Sequence, residues 1–486
     1  MKLAFRNTRI FLFLAIVLAL AACSPSGSSL RQSHNPSSNE AGPTPTPFQP
    51  KEVASLYIVQ QMPQAVPTFQ PAPTVEVLPQ VSVTTDPAVE QPQAIPTIQI
   101  NMDSPEILNL PDTMTFLLLG SDTRGGASFR TDTMMIVIVR PKDANVSIIS
   151  IPRDLWVNIP EVGEQRINVA YQYGDLYDYP GGGAGLLKDT ILYNLGIQID
   201  QVAMVDFNGF RRIVDTIGGI QLPVFCSYTD WRMIDPSLDP ELEESWQQYT
   251  VEPGIVKMDG DLALWYARSR KMSDDFDRGR RQQEVIRAIL QQGIKAGLIT
   301  KIPQLYNDLS SSFTTDIGVL ELVKLAPIAL NLSNANIRSY YIAGEYVTDW
   351  VTDQGAYILL PNTDLIHQLV LEAMSPSVRQ QEQQKVTVEV LNGSAIEGLD
   401  VLAAERLNYA GYQTIISPID RHDYQNTLVY DLTKTQDRSA IGPLLAALNL
   451  DETYLVGNAQ AAPKTPYAVV VGNDYDACFD PASLNP

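Results

Sequence analysis

Five arginines, Arg268, Arg270, Arg278, Arg280 and Arg281, fall in the stretch Ala263 to Gln283 of this 486-residue chain. Arginine's planar fork donates two parallel hydrogen bonds, so a cluster of this kind suits carboxylate or phosphate oxygens. Leu262, Trp265 and Tyr266 form an apolar stripe at helical spacing before a polar turn, and Val285, Ile286 and Ile289 continue one after it. The arginines therefore stand at the facing ends of two helices. Arg268 and Arg270 close the first, while Arg278, Arg280 and Arg281 open the second, where the helix dipole favours an anion and disfavours a cation. Such a placement implies a negative ligand among them. The plain alternative is a solvated charged turn.

Three further elements mix acid with arginine or threonine after apolar runs: Gly120-Ser121-Asp122-Thr123-Arg124, Arg130-Thr131-Asp132-Thr133 and Ile151-Pro152-Arg153-Asp154. Each alone is ordinary turn chemistry. Together they place Asp122, Asp132 and several arginines at strand ends, where a rigid sheet holds side chains and ligands of open α/β sheets gather. Two carboxylates completed by water and substrate phosphates make a magnesium arrangement.

The formal net charge of −21 argues against nucleic acid, whose phosphates need a broad basic surface. Between Gly120 and Arg287 there are 14 Arg against 4 Lys. An acidic chain with a local arginine nest reads as a specific oxyanion site.

The elements that must position these residues begin near Thr113. Thr115 to Leu119, Thr133 to Val139 and Val146 to Ser150 read as buried strands. Leu186 to Leu195 and Phe207 to Ile217 read as helices, the second through Phe207, Phe210, Ile213, Val214 and Ile217, with Gly218-Gly219 as its stop. The expected class is α/β, an α+β sandwich over residues 113–379, continuing through a helix at Val319 to Leu330 and a strand at Tyr340 to Ala343. The Gly181-Gly182-Gly183 run lacks the Lys-Ser/Thr of a phosphate loop and reads as a mobile loop beside the site.

Upstream, Lys2, Arg6 and Arg9 precede an apolar run, Ile10 to Ala22, too short to span a bilayer comfortably. Leu20-Ala21-Ala22-Cys23 resembles the bacterial lipobox, which implies cleavage before Cys23, diacylation of its thiol and a lipid-anchored protein on the extracytoplasmic face of the cell membrane; an uncleaved anchor is the alternative. Residues 1–23 thus read as a lipoprotein signal segment that ends in the modified cysteine. Residues 24–112 read as a tether, since 15 of the 34 prolines lie between Ser24 and Pro105. With Cys23 modified, Cys226 and Cys478 remain, and an oxidising compartment permits a bridge that sequence alone leaves open.

The ordered motifs resemble the LytR-CpsA-Psr family. They are the three acidic elements above, Arg166-Ile167-Asn168-Val169-Ala170-Tyr171, Asp206-Phe207-Asn208-Gly209-Phe210, Tyr266-Ala267-Arg268-Ser269-Arg270 and Asp275-Phe276-Asp277-Arg278-Gly279-Arg280-Arg281-Gln282-Gln283. The resemblance implies an extracytoplasmic phosphotransferase that moves a glycopolymer from a polyprenyl-pyrophosphate carrier to peptidoglycan or another wall acceptor. It implies Mg2+ at Asp122 and Asp132, and pyrophosphate held by Arg130, Arg153, Arg268, Arg270, Arg278 and Gln282. Which carboxylate, if either, serves as base stays open. Asp277 stands where the family more often has Gly. A polyprenyl tail needs an apolar groove, for which Phe207, Phe210, Ile213, Leu262 and Val285 are the candidates, each also readable as plain core.

After a polar linker, Gln380 to Lys385, the remainder reads β-α-β-β-α-β: Val386 to Leu391, Leu399 to Tyr409, Thr414 to Ser417, Thr427 to Tyr430, Ile441 to Leu448 and Ala468 to Val471. This is a ferredoxin-like order. Residues 385–475, from the Val390-Leu391-Asn392-Gly393-Ser394 segment on, resemble the C-terminal domain found in part of the same family, and read as a binding or interaction module. Two alternatives to transfer are a pyrophosphatase acting on the same carrier and a regulatory protein of the transcriptional-attenuator type.

Overall fold

The computed structural model describes residues 113–121, 131–142, 144–235, 237–270, 275–298, 306, 309–330, 332, 334–353, 355–375, 385–433, 441–456 and 465–479. The signal segment, the tether, Asp122 and Arg130 lie outside the described residues.

The first domain is built on β1 (Met114–Ser121), β2 (Thr131–Arg140), β3 (Asn145–Ile151), β4 (Gln201–Asp206), β5 (Phe313–Thr315) and β6 (Ile337–Tyr341), in the sheet order β5-β4-β1-β2-β3-β6. The β1–β2, β2–β3 and β4–β5 pairs are antiparallel, whereas β1–β4 and β3–β6 are parallel. Alternation splits each strand between two cores. Phe116, Leu118, Met135, Val146 and Ile148 face one, and Leu117, Leu119, Ile136, Ile149 and Ile151 face the other. Burial on both faces is why these strands read as near-continuous apolar runs.

The helices are α1 (Ala170–Leu176), α2 (Gly182–Leu195), α3 (Phe207–Thr216), α4 (Gly260–Arg268), α5 (Asp275–Lys295), α6 (Val319–Leu330) and α7 (Thr363–Met374). Residues of α3, α4, α5 and α6 belong to the first core, residues of α2 and α7 to the second. Asp206 caps α3 by accepting from the Gly209 amide at 2.6 Å, and Asp259 caps α4 through the Leu262 amide at 2.8 Å. Gly182 and Gly183 open α2 instead of forming a mobile loop. Gly181 precedes them with φ +81°, and a Cβ on Gly183 would lie 2.4 Å from Tyr171.

Four antiparallel strand pairs, 156–159 with 163–166, 220–224 with 254–258, 228–233 with 246–251, and 347–351 with 357–361, decorate this frame. Most of their strands mix polar with apolar residues; Ile220–Val224 and Tyr357–Pro361 are the apolar ones.

The second domain contains β7 (Thr387–Asn392), α8 (Leu399–Tyr409), β8 (Gln413–Ser417), β9 (Leu428–Asp431), α9 (Ile441–Ala447), β10 (Leu455–Val456) and β11 (Tyr467–Val471). The element order is the expected one with β10 added, but the strand pairing is not ferredoxin-like. The sheet runs β8-β7-β11-β9-β10, with β7 parallel to both β8 and β11. A split βαβ unit would separate β7 from β8, yet here they are neighbours. The reason lies in β11, Tyr-Ala-Val-Val-Val, buried at every position, which demands a central place, while β8 leaves Ile415 and Ile416 exposed and settles at the edge.

The domains are packed together. Phe225 of the first domain is 2% exposed inside the core of the second, and its neighbour Cys226 is disulfide-bonded to Cys478.

Candidate active site

A bulge makes the site's carboxylate. Gly120 of β1 pairs with Thr133 and Ser121 pairs with Thr131, so Asp132 is the extra residue on β2. Bulges re-aim a side chain at a sheet end. Glycine relieves crowding opposite, because a Cβ on Gly120 would lie 3.1 Å from that of Thr133.

Asp132 Oδ1 accepts from Arg153 Nη1 at 2.9 Å and lies 3.7 Å from Arg270 Nη2. Arg153 also reaches Asp154 through Nε at 3.3 Å, and Asp154 meets Arg166 at 3.4 Å. Asp154 is buried while Arg153, Asp132 and Arg270 are 27%, 31% and 41% exposed at their side chains, so the buried acid braces and the partly open groups face outward. Asp132 and Arg153, 21 residues apart in sequence, are brought into contact by the antiparallel pairing of β2 with β3.

One step inward from Asp132, Thr133 Oγ1 accepts from Gln282 Nε2 at 3.0 Å, and the same amide donates to the Ala267 carbonyl at 3.2 Å. Thr133, Ala267, Gln282 and Arg268 border an apolar cavity whose wall includes Phe207, Phe210, Ile213, Val285 and Ile289. Arg268 lies over the Phe207 ring at 3.7 Å. Ile213 and Val285 belong to the core and to the cavity wall at once. Leu262 does not line the cavity: Leu264, Ala267 and Arg268 share the facing side of α4, and Leu262 is turned into the core.

The arginine-dense stretch divides by helix face. Arg278, buried at 5% exposure, lies one turn before Gln282 on α5 and shares its side. Arg280 turns inward to Glu284 at 2.6 Å and Asp277 at 3.1 Å, so burial disfavours its charge but Glu284 leads the partners that hold its pKa above the usual range. Arg281 reaches the Ser269 carbonyl at 2.5 Å and lies 3.8 Å over Tyr228. These two close the α4–α5 corner and do not line the cavity. Asp277 sits in the first turn of α5, where a carboxylate suits the helix dipole.

The structure thus joins Asp132, Arg153 and Arg270 at one mouth and places Arg268, Gln282, Phe207, Phe210 and Ile213 around the adjoining cavity. Thr133, Asp154 and Arg166 join the site although the sequence marks them only as members of the family motifs. Among the described residues no group of three His, Cys, Asp or Glu side chains could hold a metal. Asp132 offers a hard oxygen beside the arginines, a donor that fits magnesium completed by phosphate and water.

Residues 80–374 match the LytR_cpsA_psr family, and residues 385–475 match the LytR cell envelope-related transcriptional attenuator. The chain belongs to the LytR_cpsA_psr family. It is similar to the polyisoprenyl-teichoic acid–peptidoglycan teichoic acid transferase TagU of Oceanobacillus iheyensis, 30% identical over 237 residues, which cover 48% of this chain and 68% of that one. It is similar also to biofilm regulatory protein A of Streptococcus mutans, 30% identical over 270 residues, covering 52% and 61%. The crystal structure of Bacillus subtilis TagV aligns with a TM-score of 0.44 at 24% identity, over 55% of this chain and 100% of that one. The LytR_cpsA_psr match spans every site residue named above.

Proposed function

We propose that the protein is a phosphotransferase that moves a glycopolymer from a polyprenyl-pyrophosphate carrier onto peptidoglycan. The observation that carries this reading is Arg268 stacked on Phe207 at the border of an apolar cavity, beside the Arg153–Asp132–Arg270 cluster. A ligand matching both regions is an anion with a long apolar tail. The family membership and the transferase named TagU favour the same reading.

The arginines supply positioning and charge neutralisation, which is most of what phosphoryl transfer asks of a protein. The tail enters the cavity past Phe207, Phe210 and Ile213, so the pyrophosphate rests near Arg268, Gln282 and Arg278. Arg153 and Arg270, now sharing Asp132, have donors for the glycan-side phosphate. An acceptor hydroxyl oxygen forms the new bond to that phosphorus as its bond to the bridging oxygen breaks. Polyprenyl monophosphate leaves, and the hydroxyl proton ends on it or in solvent. Asp132 would hold magnesium together with Asp122, and the ion would neutralise phosphate charge.

Two observations support an extracytoplasmic compartment. A basic and apolar segment leads to Cys23, and the disulfide Cys226–Cys478 fits an oxidising environment. Lipidation of Cys23 would tether the enzyme beside its membrane-borne carrier. The test is incubation of the purified protein with a polyprenyl-pyrophosphate glycan and peptidoglycan, with polyprenyl monophosphate and wall-bound glycan both measured.

A further inference from the structure

Helix α5 carries the site on one face and is fastened on the other. Arg287 lies nine residues beyond Arg278, half a turn out of phase, so it points away from the cavity. Its side chain is 2% exposed, and Nη2 donates to the Ile337 carbonyl at 2.7 Å and to Ser339 Oγ at 2.8 Å. The guanidinium also lies 4.3 Å over the ring of Tyr409, the last residue of α8 in the second domain.

Tyr409 is itself fixed from several sides. Its ring meets Phe225 edge-on at 5.7 Å, and the next residue, Ala410, accepts from Arg338 Nη1 at 3.1 Å. One turn earlier on α8, Arg406 lies between the rings of Phe225 and Phe479, at 4.0 and 4.1 Å. It binds the carbonyls of Ala477 and Phe479, which flank the disulfide cysteine Cys478. A continuous set of contacts therefore runs from the disulfide through Phe225 and Tyr409 to the back of the helix bearing Arg278 and Gln282.

We propose that Arg287 and Tyr409 are positioning residues, through which the C-terminal domain sets the axial and rotational placement of α5 for the transfer reaction. An apolar contact would allow the helix to slide. A buried guanidinium with directed bonds to a carbonyl and a hydroxyl, closed by an aromatic face, permits one placement; specificity of position is a use to which costly buried polar groups are put. This rests on the proposed transfer, but its first readout does not depend on it.

The experiment compares the disulfide-bonded full-length protein with its Tyr409→Ala, Tyr409→Leu and Tyr409→Phe variants by hydrogen exchange of α5 amides, thermal melting and turnover. Tyr409→Ala and Tyr409→Leu raise exchange in α5 selectively and lower kcat roughly ten- to a hundredfold, with little change in KM for the carrier, because a small misplacement of reacting groups has that cost. Tyr409→Phe keeps the ring face and restores both. Wild-type exchange and kcat in Tyr409→Leu overturn the proposal. So does exchange rising across both domains together with a fall in melting temperature, which marks a role in stability alone. If the wild-type protein transfers nothing, the functional proposal fails while selective exchange in α5 still decides this one.

Discussion

Arg268 holds its guanidinium 3.7 Å over the ring of Phe207, and both side chains border the same cavity. One stacked pair therefore stands at the border of the apolar cavity, beside the arginine cluster proposed for phosphate. Arg268→Ala should lower kcat/KM by roughly a hundred- to a thousandfold, the cost of losing one donor aimed at developing charge. Arg268→Lys should recover only part, since it keeps the charge and loses the fork and the flat stacking face. Thermal melting beside the kinetics checks that the fold is kept.

The cavity should sense chain length. Val285→Phe inserts volume into its wall and should raise KM for a long polyprenyl carrier by roughly tenfold, about the worth of one or two displaced methylenes. A short-chain analogue should be affected less. Equal losses for both carriers would place the tail elsewhere.

Asp132 stands on a bulge between two arginines, the position proposed for magnesium. Asp132→Asn should raise the magnesium concentration that gives half-maximal turnover by about tenfold or more. Titration of chelated protein with MgCl2 measures it. An unchanged magnesium response would leave Asp132 as only a partner of Arg153.

Alkaline stability follows from buried phenols. Burial is the first cause raising the pKa of Tyr171, Tyr266, Tyr409 and Tyr475, and it pushes Tyr341 from 10.0 up to about 12. A phenol whose folded pKa is raised contributes stability that is fully present below the unfolded value and lost as pH rises through the folded one. Urea midpoints should therefore be level to about pH 10 and fall between about pH 10 and pH 12. A midpoint that held steady over that window would contradict the burial of these groups.

How much of this could be read from the chain depends on periodicity. The strands from Met114 to Ile151, the helix Val319–Leu330 and the helix Leu399–Tyr409 follow from unbroken apolar patterns. The four peripheral strand pairs escaped because most of their strands, such as Gly163–Arg166 and Tyr228–Met233, are polar or mix polar with apolar residues and sustain no pattern. Arg153 beside Asp132 was legible only as two motifs, since their contact depends on the pairing of β2 with β3. Arg280 and Arg281 looked like site residues by composition, and only the helix phase shows that they turn to Glu284 and the Ser269 carbonyl. The second domain's element order was readable, whereas its strand pairing depended on β11, the most buried strand, taking the centre.

The central claim is transfer to a wall acceptor, and glycan labelled on its carrier-linked sugar phosphate tests it most directly. Wild-type protein should move label into purified peptidoglycan, with one polyprenyl monophosphate released per label transferred. Arg270→Ala should reduce both together by roughly a hundredfold or more. Label released as free glycan phosphate, with none in the peptidoglycan, would make the enzyme a pyrophosphatase. Wild-type transfer by Arg270→Ala would contradict the assignment of the arginine cluster.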